Sequence, residues 1–265
     1  MEAERTMWGG DDYDYLMGRW SQVMAPLLVE FAGVRDGDNV LDVGCGTGSL
    51  SSALLESGSR VRVAGIDGSA DYAEIARSNV NDDRATFEQG DAQVLPYGDD
   101  QFDACVSLLV MNFIPDATQA LGEMCRVTRT GGTVAAAVWD YGDGMEMLRQ
   151  LWDTASEIDE AAVAKHEGKM PLCRPGELAA LWSDNGLVDI ADTGLTIPMN
   201  FTSFDDYWAP FLTGVGPSGS YVNGLEAPIQ TALKERLSAK LAAGSEDAAF
   251  SMKARAWAVR GIVGE

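Results

Sequence analysis

The sequence predicts an α/β fold with a doubly wound, mostly parallel sheet of seven strands and additional helical insertions. Short apolar segments alternate with helical patterns from residue 39 to about residue 195. These segments are nearly continuously apolar, as expected for strands covered by helices on both faces of a sheet. A glycine-rich turn at residues 44–48 directly follows the first apolar segment. Together these features favour a ligand-binding open sheet.

The pattern places each element in turn. Strands are predicted at residues 40–43, 61–67, 85–89, 102–109 and 134–139, and helices at 49–56, 70–79 and 117–125. From residue 250, apolar and polar or charged residues alternate, which predicts a half-exposed final strand. We therefore expect a single domain with an N-terminal lid, a ligand-binding core and a substrate cap. Their predicted bounds are 1–35 for the lid, 36–195 with 248–265 for the core, and 196–247 for the cap.

Composition excludes several classes of partner. The formal net charge is −22, and no run of Lys and Arg offsets it locally. Nucleic acid and anionic lipid would both be repelled, so we expect neither as a partner. The favoured interpretation of the charge is an acidic surface that keeps a cytosolic enzyme in solution. The four cysteines show no C-x-x-C spacing and the chain has one histidine, so no metal site or disulfide framework is expected. No signal peptide or membrane-length apolar run is visible, which predicts a cytoplasmic protein without membrane insertion.

The clearest motif is the turn Gly44-Cys45-Gly46-Thr47-Gly48. Glycine at such a turn lets the backbone approach a ligand that a Cβ atom would block. A dinucleotide-binding G-x-G-x-x-G motif would need a third glycine where Ser49 stands, and no P-loop lysine follows. Acidic residues then end or follow the next strands, at Asp67 and Asp91. Asp67 is placed to accept hydrogen bonds from the hydroxyls of a ribose. For these acids, a solvated strand end or a helix cap is the alternative interpretation.

At this point the sequence resembles a known family. The series LDVGCGTG, GID, GDAQVLP, DDQFDACVS and RVTRTGG is similar to the motifs of class I methyltransferases that use S-adenosylmethionine (SAM), near the ubiquinone and menaquinone C-methyltransferases. The resemblance spans about residues 36–140 and implies a Rossmann-like fold, SAM as cofactor and S-adenosylhomocysteine (SAH) as product. It says nothing specific about the methyl acceptor.

The resemblance implies a role for each matching position. Asp42 would reach the ammonium group of SAM, directly or through water, and the glycine turn would lie against its methionine part. Asp67 would bind the ribose, Asp91 the adenine amino group, and the backbone N–H of Ala92 a ring nitrogen. The expected cofactor contacts are Tyr15, Arg19, Asp42, Gly44, Cys45, Gly46, Asp67, Gly68, Asp91, Ala92, Leu108 and Asn112. Val110 would line the methionine pocket beside Leu108.

The segment from Tyr13 to Trp20 is rich in aromatic residues and precedes the sheet. We expect it to form a lid in which Arg19 pairs with the carboxylate of SAM and Tyr15 covers the substrate opening. The alternative is an aromatic helix packed on the sheet edge, with Arg19 at the surface.

The methyl acceptor would lie beside loops that follow the fourth and fifth strands, with aromatic residues from the cap. The expected substrate contacts are Met111, Phe113, Trp139, Tyr207, Trp208 and Phe211. Aromatic faces attract the sulfonium cation of SAM, although these rings could equally form the core of the cap. Candidates for a general base are Asp140, Tyr141 and His166, of which His166 has the sequence surroundings of a surface loop. Orientation and desolvation without a base would also suffice.

The sequence therefore predicts an enzyme that transfers the methyl group of SAM to an N, O or C nucleophile of a small molecule. A non-catalytic SAM-binding protein is the alternative that only turnover can exclude. A NAD-dependent dehydrogenase is disfavoured by Ser49 and by the acidic site, and aminopropyl transfer by the lack of a polyamine-binding motif. The oligomeric state is not indicated by the sequence.

Overall fold

The structure is a computed structural model that describes residues 14–159, 162, 165, 167–241 and 247–264. Its seven strands are β1 (Asn39–Val43), β2 (Arg62–Asp67), β3 (Ala85–Gln89), β4 (Phe102–Leu108), β5 (Thr128–Trp139), β6 (Val188–Phe201) and β7 (Phe250–Ile262). The α-helices are α1 (Arg19–Ala32), α2 (Ser49–Ser57), α3 (Ala70–Asn79), α4 (Ala117–Val127), α5 (Glu146–Ser156), α6 (Glu177–Asp184), α7 (Phe204–Trp208), α8 (Gly216–Asn223) and α9 (Ala227–Leu241).

The strands form one sheet in the order β3-β2-β1-β4-β5-β7-β6. Strands β1 to β5 pair in parallel, and β7 pairs antiparallel with β5. The predicted seven-stranded, mostly parallel α/β fold is therefore confirmed. Strands β2 and β3 are added on one side of β1, and β4 and β5 on the other. This change in strand order creates a switch point between β1 and β4, where open sheets bind ligands.

The described residues divide into two compact units. The sheet unit comprises residues 18–139, 171–195 and 256–264, and the helical unit comprises residues 14–17, 140–170 and 196–255. The described residues between 140 and 170 belong to the same unit as the predicted cap, residues 196–247, whereas the sequence predicted them within the core. No helix among the described residues is long and apolar enough to cross a bilayer.

The core of the sheet unit is formed by its central strands. Val40, Leu41 and Val43 in β1 are fully buried, as are all residues from Val134 to Val138 in β5. Such strands are buried on both faces, which explains their continuous apolar sequence. Local signals set the helix ends: the side chain of Ser69 caps α3, and that of Asp116 accepts the backbone N–H of Gln119 at 2.9 Å.

Two strands differ from the prediction. Strand β5 begins at Thr128, directly after α4, whereas the sequence predicted a start at residue 134. Strand β6 was not predicted, and it crosses the expected boundary between core and cap at residue 195. It is an edge strand with Asp189, Asp192 and Pro198, residues that edge positions tolerate and interior strands do not.

The helical unit has an aromatic core. Tyr207, Trp208 and Phe211 were expected to contact the substrate, but their side chains are at most 3% exposed. The Tyr207 ring meets that of Phe211 edge to face with centroids 5.4 Å apart, and its hydroxyl donates to the carbonyl of Met147 at 3.1 Å. This packing corresponds to the alternative interpretation, in which the rings form a core.

We expect Phe211→Ala to lower the free energy of unfolding by about 3–5 kcal/mol, because it leaves a cavity at a fully buried position. Leu212→Ala is the matched control, since its side chain is 42% exposed and its loss should cost about 0.5 kcal/mol or less. Denaturant unfolding of both variants measures the difference. Equal costs would contradict the assignment of Phe211 to the core.

Candidate functional site

The site lies in the sheet unit, where the strands β1 to β5 end at the same edge. This carboxyl edge brings together the turn after β1, Asp67 at the end of β2, the loop after β3 and the loop after β4. The candidate residues that the sequence places on these four separate segments are thus neighbours along one edge. The predicted cofactor-binding positions of the sheet unit all lie on these segments, except Arg19.

The turn after β1 is built from backbone that only glycine adopts easily. Gly44, Gly46 and Gly48 have φ values of +74°, +52° and +96°. The N–H groups of Gly44 and Cys45 both donate to the carbonyl of Ile66 in β2, at 2.8 and 3.0 Å. A Cβ on Gly44 would lie 2.5 Å from the side chain of Val110, whereas one on Gly46 would meet nothing within 4 Å. The backbone of the turn therefore has open space beside it at Gly46, whereas at Gly44 it packs against the side chain of Val110.

Asp42 is a buried carboxyl group directly before this turn. Its Oδ2 accepts the hydroxyl of Ser51 at 2.7 Å, and its Oδ1 has no partner among the described residues. Burial is the main cause that raises the pKa of Asp42 to about 7, and the charge of Asp67 contributes to this rise. A buried acceptor without a partner is costly in the free protein. The geometry fits a ligand that brings a hydrogen-bond donor or a positive charge.

Asp67 joins two turns. Its Oδ2 accepts the N–H of Gly46 at 3.0 Å, and its Oδ1 accepts the N–H of Ser69 at 2.8 Å. The carboxylate thus holds the glycine turn beside the start of α3. A carboxylate offers about four lone-pair sites, so this structural role does not exclude ribose hydroxyls.

Asp91 lies in an exposed loop at the end of β3. Its Oδ1 accepts the backbone N–H of Gln93 at 2.9 Å, and Ala92 between them is half-buried. The loop is fixed by Arg126, whose guanidinium donates to the carbonyls of Leu95 and Tyr97 at 3.1 and 2.8 Å. The sequence did not single out Arg126, although it lies within the RVTRTGG motif.

The loop after β4 contains buried and exposed candidates. Leu108, Met111 and Asn112 are buried, whereas the ring of Phe113 is 49% exposed. Leu109 between them has φ +63°, a left-handed conformation that is unusual for a leucine and is often found at functional sites. No sequence signal marks this strain. The residue after Leu109 is Val110, whose side chain packs against the glycine turn at Gly44.

The N-terminal candidates fall in different units. Arg19, at the start of α1 in the sheet unit, has its guanidinium 4.4 Å above the ring of Trp20. Tyr15, in the helical unit, is 46% exposed. Tyr13 lies outside the described residues. The lid remains a prediction.

Two of the candidates for a general base, Asp140 and Tyr141, are in the helical unit. Asp140 is buried and accepts Nε of Arg255 at 2.9 Å, with a second bond from Nη2 of the same guanidinium. It also accepts the N–H of Asp143 at 3.1 Å. These bonds favour a structural role, in which Asp140 fixes the loop after β5. Tyr141 is half-buried, and His166 lies outside the described residues.

No group of three or more His, Cys, Asp or Glu side chains within the described ranges has the arrangement of a metal site. Cys45 in the glycine turn is buried, and burial raises its pKa well above the ordinary value. It therefore remains a neutral thiol at physiological pH, so it adds no charge to the site.

We expect Gly44→Ala to destabilise the protein more than Gly46→Ala, by about 1–3 kcal/mol. Both substitutions force alanine into a left-handed conformation, but only the Cβ at position 44 meets Val110. Denaturant unfolding compares the two variants. The double variant Gly44→Ala/Val110→Ala should recover part of the loss. If the two single variants are equally stable, the close contact of Val110 with the turn is not a constraint.

Comparisons with known proteins agree with this geometry. A family model described as "Methyltransferase domain" matches residues 41–136. An uncharacterized protein of Mycobacterium tuberculosis is 32% identical over 137 residues, which cover 52% of this chain and 50% of that protein. Methyltransferase GfsG of Streptomyces halstedii is 40% identical over 119 residues, or 43% of this chain and 42% of that protein. The chain thus spans about half the length of the curated relatives it matches.

The fold has solved counterparts. Phosphoethanolamine N-methyltransferase 2 of Haemonchus contortus, solved with SAM, superposes with a TM-score of 0.58 at 18% identity. That superposition covers 97% of this chain and 57% of the other. The resemblance to class I methyltransferases that the motifs indicate is confirmed by the family match and the shared fold. Residues 41–136 thus match the methyltransferase domain family, and the chain shares the fold of solved methyltransferases.

Proposed function

We propose that this protein binds SAM at the carboxyl edge of the sheet unit and transfers its methyl group to a small-molecule acceptor. The observation that supports this most strongly is Asp42, a buried carboxyl group beside an open glycine turn. One of its oxygens has no hydrogen-bond partner in the part of the chain that the structure describes. A ligand with an ammonium group complements this oxygen. The acidic residues Asp67 and Asp91 follow at the ends of β2 and β3, in the order that a nucleoside extending along the edge requires.

Each part of the site fits a part of the cofactor. The methionine part would lie on the backbone from Gly44 to Gly46, with its ammonium near Asp42. The ribose hydroxyls would donate to Asp67, and the adenine amino group would donate to Asp91. Leu108 and Val110 would provide apolar surface for the carbon chain. When bound, SAM supplies an electrophilic methyl group on a positively charged sulfur.

The described residues suggest how the chain contributes to the transfer. The loop after β4 combines the fully buried Met111 with the half-exposed ring of Phe113, and both are proposed contacts of the acceptor. Holding an acceptor nucleophile in line with the methyl group lowers the entropic barrier. Since Asp140 is paired with Arg255, we propose orientation rather than general-base catalysis as the main contribution.

Two alternatives make different demands on the site. A NAD-dependent dehydrogenase would place a pyrophosphate near the turn, where Asp42 and Asp67 disfavour negative charge. A non-catalytic SAM-binding protein would show the same Asp42, Asp67 and Asp91 arrangement without turnover. A screen for SAH formation from SAM separates this alternative from an enzyme. The panel should include quinols, phenols, amines and carboxylic acids.

We expect SAM and SAH to raise the melting temperature, whereas NAD and ATP leave it unchanged, because a ligand stabilises only the state that it binds.

Asp91→Ala should weaken SAH binding by about 1–3 kcal/mol without loss of the fold, since this side chain is exposed. Asp83→Ala, another exposed acidic residue in the sheet unit, is the control. A comparable shift with NAD, or equal affinities of the two variants, would refute the assignment.

The pKa of Asp42 predicts a pH dependence of binding. Below about pH 7 the carboxyl group of the free protein is neutral, and it must ionise to pair with an ammonium group. SAH affinity should therefore rise by about tenfold or more from pH 5.5 to pH 8. Asp42→Asn should remove this dependence, as should 5′-methylthioadenosine, which lacks the ammonium group. Calorimetric titration measures each affinity, and an equally steep pH profile for Asp42→Asn would contradict the role of Asp42.

The same group affects the stability of the free protein with the opposite sign. Because burial raises the pKa of Asp42 above its ordinary value of 3.8, its contribution favours folding fully below that value. This contribution is lost as the pH rises through about 7. Ligand binding and stability of the free protein are thus expected to change in opposite directions over this range.

A further inference from the structure

A second buried polar atom at the carboxyl edge lacks a hydrogen-bond partner within the described ranges. Trp139, the last residue of β5, is 2% exposed, and its indole N–H has no acceptor among the described residues. The buried Trp182 in the same unit differs, because its indole N–H donates to the carbonyl of Val134 at 2.9 Å. A buried donor without an acceptor is uncommon and destabilising, so Trp139 calls for an explanation.

Strand register places Trp139 on the same face of the sheet as Asp42. Asp42 aligns with Val106 in β4, and Val106 aligns with Ala135 in β5. Side chains of aligned residues in neighbouring strands point to the same face, and every second residue along a strand does so too. Trp139 is four residues beyond Ala135, and β5 pairs regularly with β7 over this stretch. Its side chain is therefore on the face where Asp42 meets Ser51 of α2.

The two unpartnered atoms belong to different parts of this face. Neighbouring strands are about 4.8 Å apart and a strand rises about 3.3 Å per residue. Trp139 is thus about 10 Å across the sheet from Asp42 and about 13 Å further along the strand direction. In the proposed arrangement, the adenine of SAM lies at the end of β3, its ribose at the end of β2 and its methionine part at the end of β1. Trp139 would then lie beyond the methionine part, on the side away from the adenine. This position is where a methyl acceptor would approach.

The chemistry of the indole restricts its partner. The N–H of tryptophan only donates, so its partner must be an acceptor atom. We propose that the Trp139 indole N–H is a binding-site donor that positions an oxygen of the bound small molecule, a carboxylate or carbonyl oxygen. This inference rests on the proposed function. The oxygen belongs either to the methyl acceptor, as the position of Trp139 favours, or to the amino-acid carboxylate of the cofactor.

Nuclear magnetic resonance of protein labelled with ¹⁵N-tryptophan observes this atom directly. The Trp139 indole signal is assigned by its absence in Trp139→Phe. The ligands are SAH, 5′-methylthioadenosine, which lacks the carboxylate, and then phenols, quinols and carboxylic acids added to the SAH complex. A downfield shift with SAH but not with 5′-methylthioadenosine assigns the oxygen to the cofactor. A shift that appears only with a compound added to the SAH complex assigns it to the acceptor.

Affinity measurements complete the test. Trp139→Phe should weaken binding of the compound that shifts the signal by about tenfold, the loss expected for a single hydrogen bond. Trp182→Phe, which removes an indole N–H that already has a partner, should leave that affinity unchanged. Melting temperatures of both variants establish that they are folded.

The proposal is overturned if SAH binds but neither SAH nor any oxygen-bearing compound moves the Trp139 signal. Equal ligand affinities of Trp139→Phe and the wild type would also overturn it. Absence of SAH binding by the folded wild-type protein would instead refute the proposed function, and this inference with it.

Discussion

The structure of the site depends on the close approach of Val110 to Gly44. The valine side chain occupies the space that a Cβ at position 44 would need, so the loop after β4 is seated on the turn after β1. The turn is also held from β2, since the carbonyl of Ile66 accepts two of its N–H groups. Three neighbouring strands therefore fix one short stretch of backbone. This constraint keeps Gly46 open and the carboxyl group of Asp42 buried.

Burial then determines the electrostatics of the site. Asp42 and Asp67 are close enough for the charge of one to raise the pKa of the other. Two carboxyl groups in this position repel anions and favour a cation, and SAM carries two positively charged groups, its sulfonium and its ammonium. The stability that the free protein loses by burying an unpartnered oxygen is thus recovered when a suitable ligand binds. The same reasoning links Trp139 to a ligand, with a donor in place of an acceptor.

Most of the sheet unit could be predicted from the sequence. Strands β1 to β4 and helices α2 to α4 begin and end within two residues of their predicted bounds, because continuous apolar segments and capping residues specify them locally. Strand β6 could not be predicted, since an exposed edge strand with Asp189 and Pro198 lacks that apolar signal. The division into units could not be predicted either. The described residues between 140 and 170 belong to one unit with described residues of 196–255, which are distant in sequence.

The candidate site could also be predicted only in part from the sequence. The glycine turn and its acidic residues follow from motifs, but their hydrogen bonds do not. Ser51 beside Asp42 and Arg255 beside Asp140 are separated from their partners by 9 and 115 residues, and nothing in the sequence pairs them. The sequence does not show which aromatic residues of the helical unit form its core and which would contact a substrate. Aromatic side chains are suited to both positions.

Hydrogen–deuterium exchange with and without SAH tests most directly whether the carboxyl edge of the sheet unit is the cofactor site. Binding there should slow amide exchange in residues 42–48, 67–69, 91–95 and 108–113. Exchange in α6, whose Trp182 packs at β5 on a different part of the sheet unit, should not change. Protection of α6 alone, or unchanged exchange at the glycine turn under conditions where calorimetry shows SAH bound, would contradict the account.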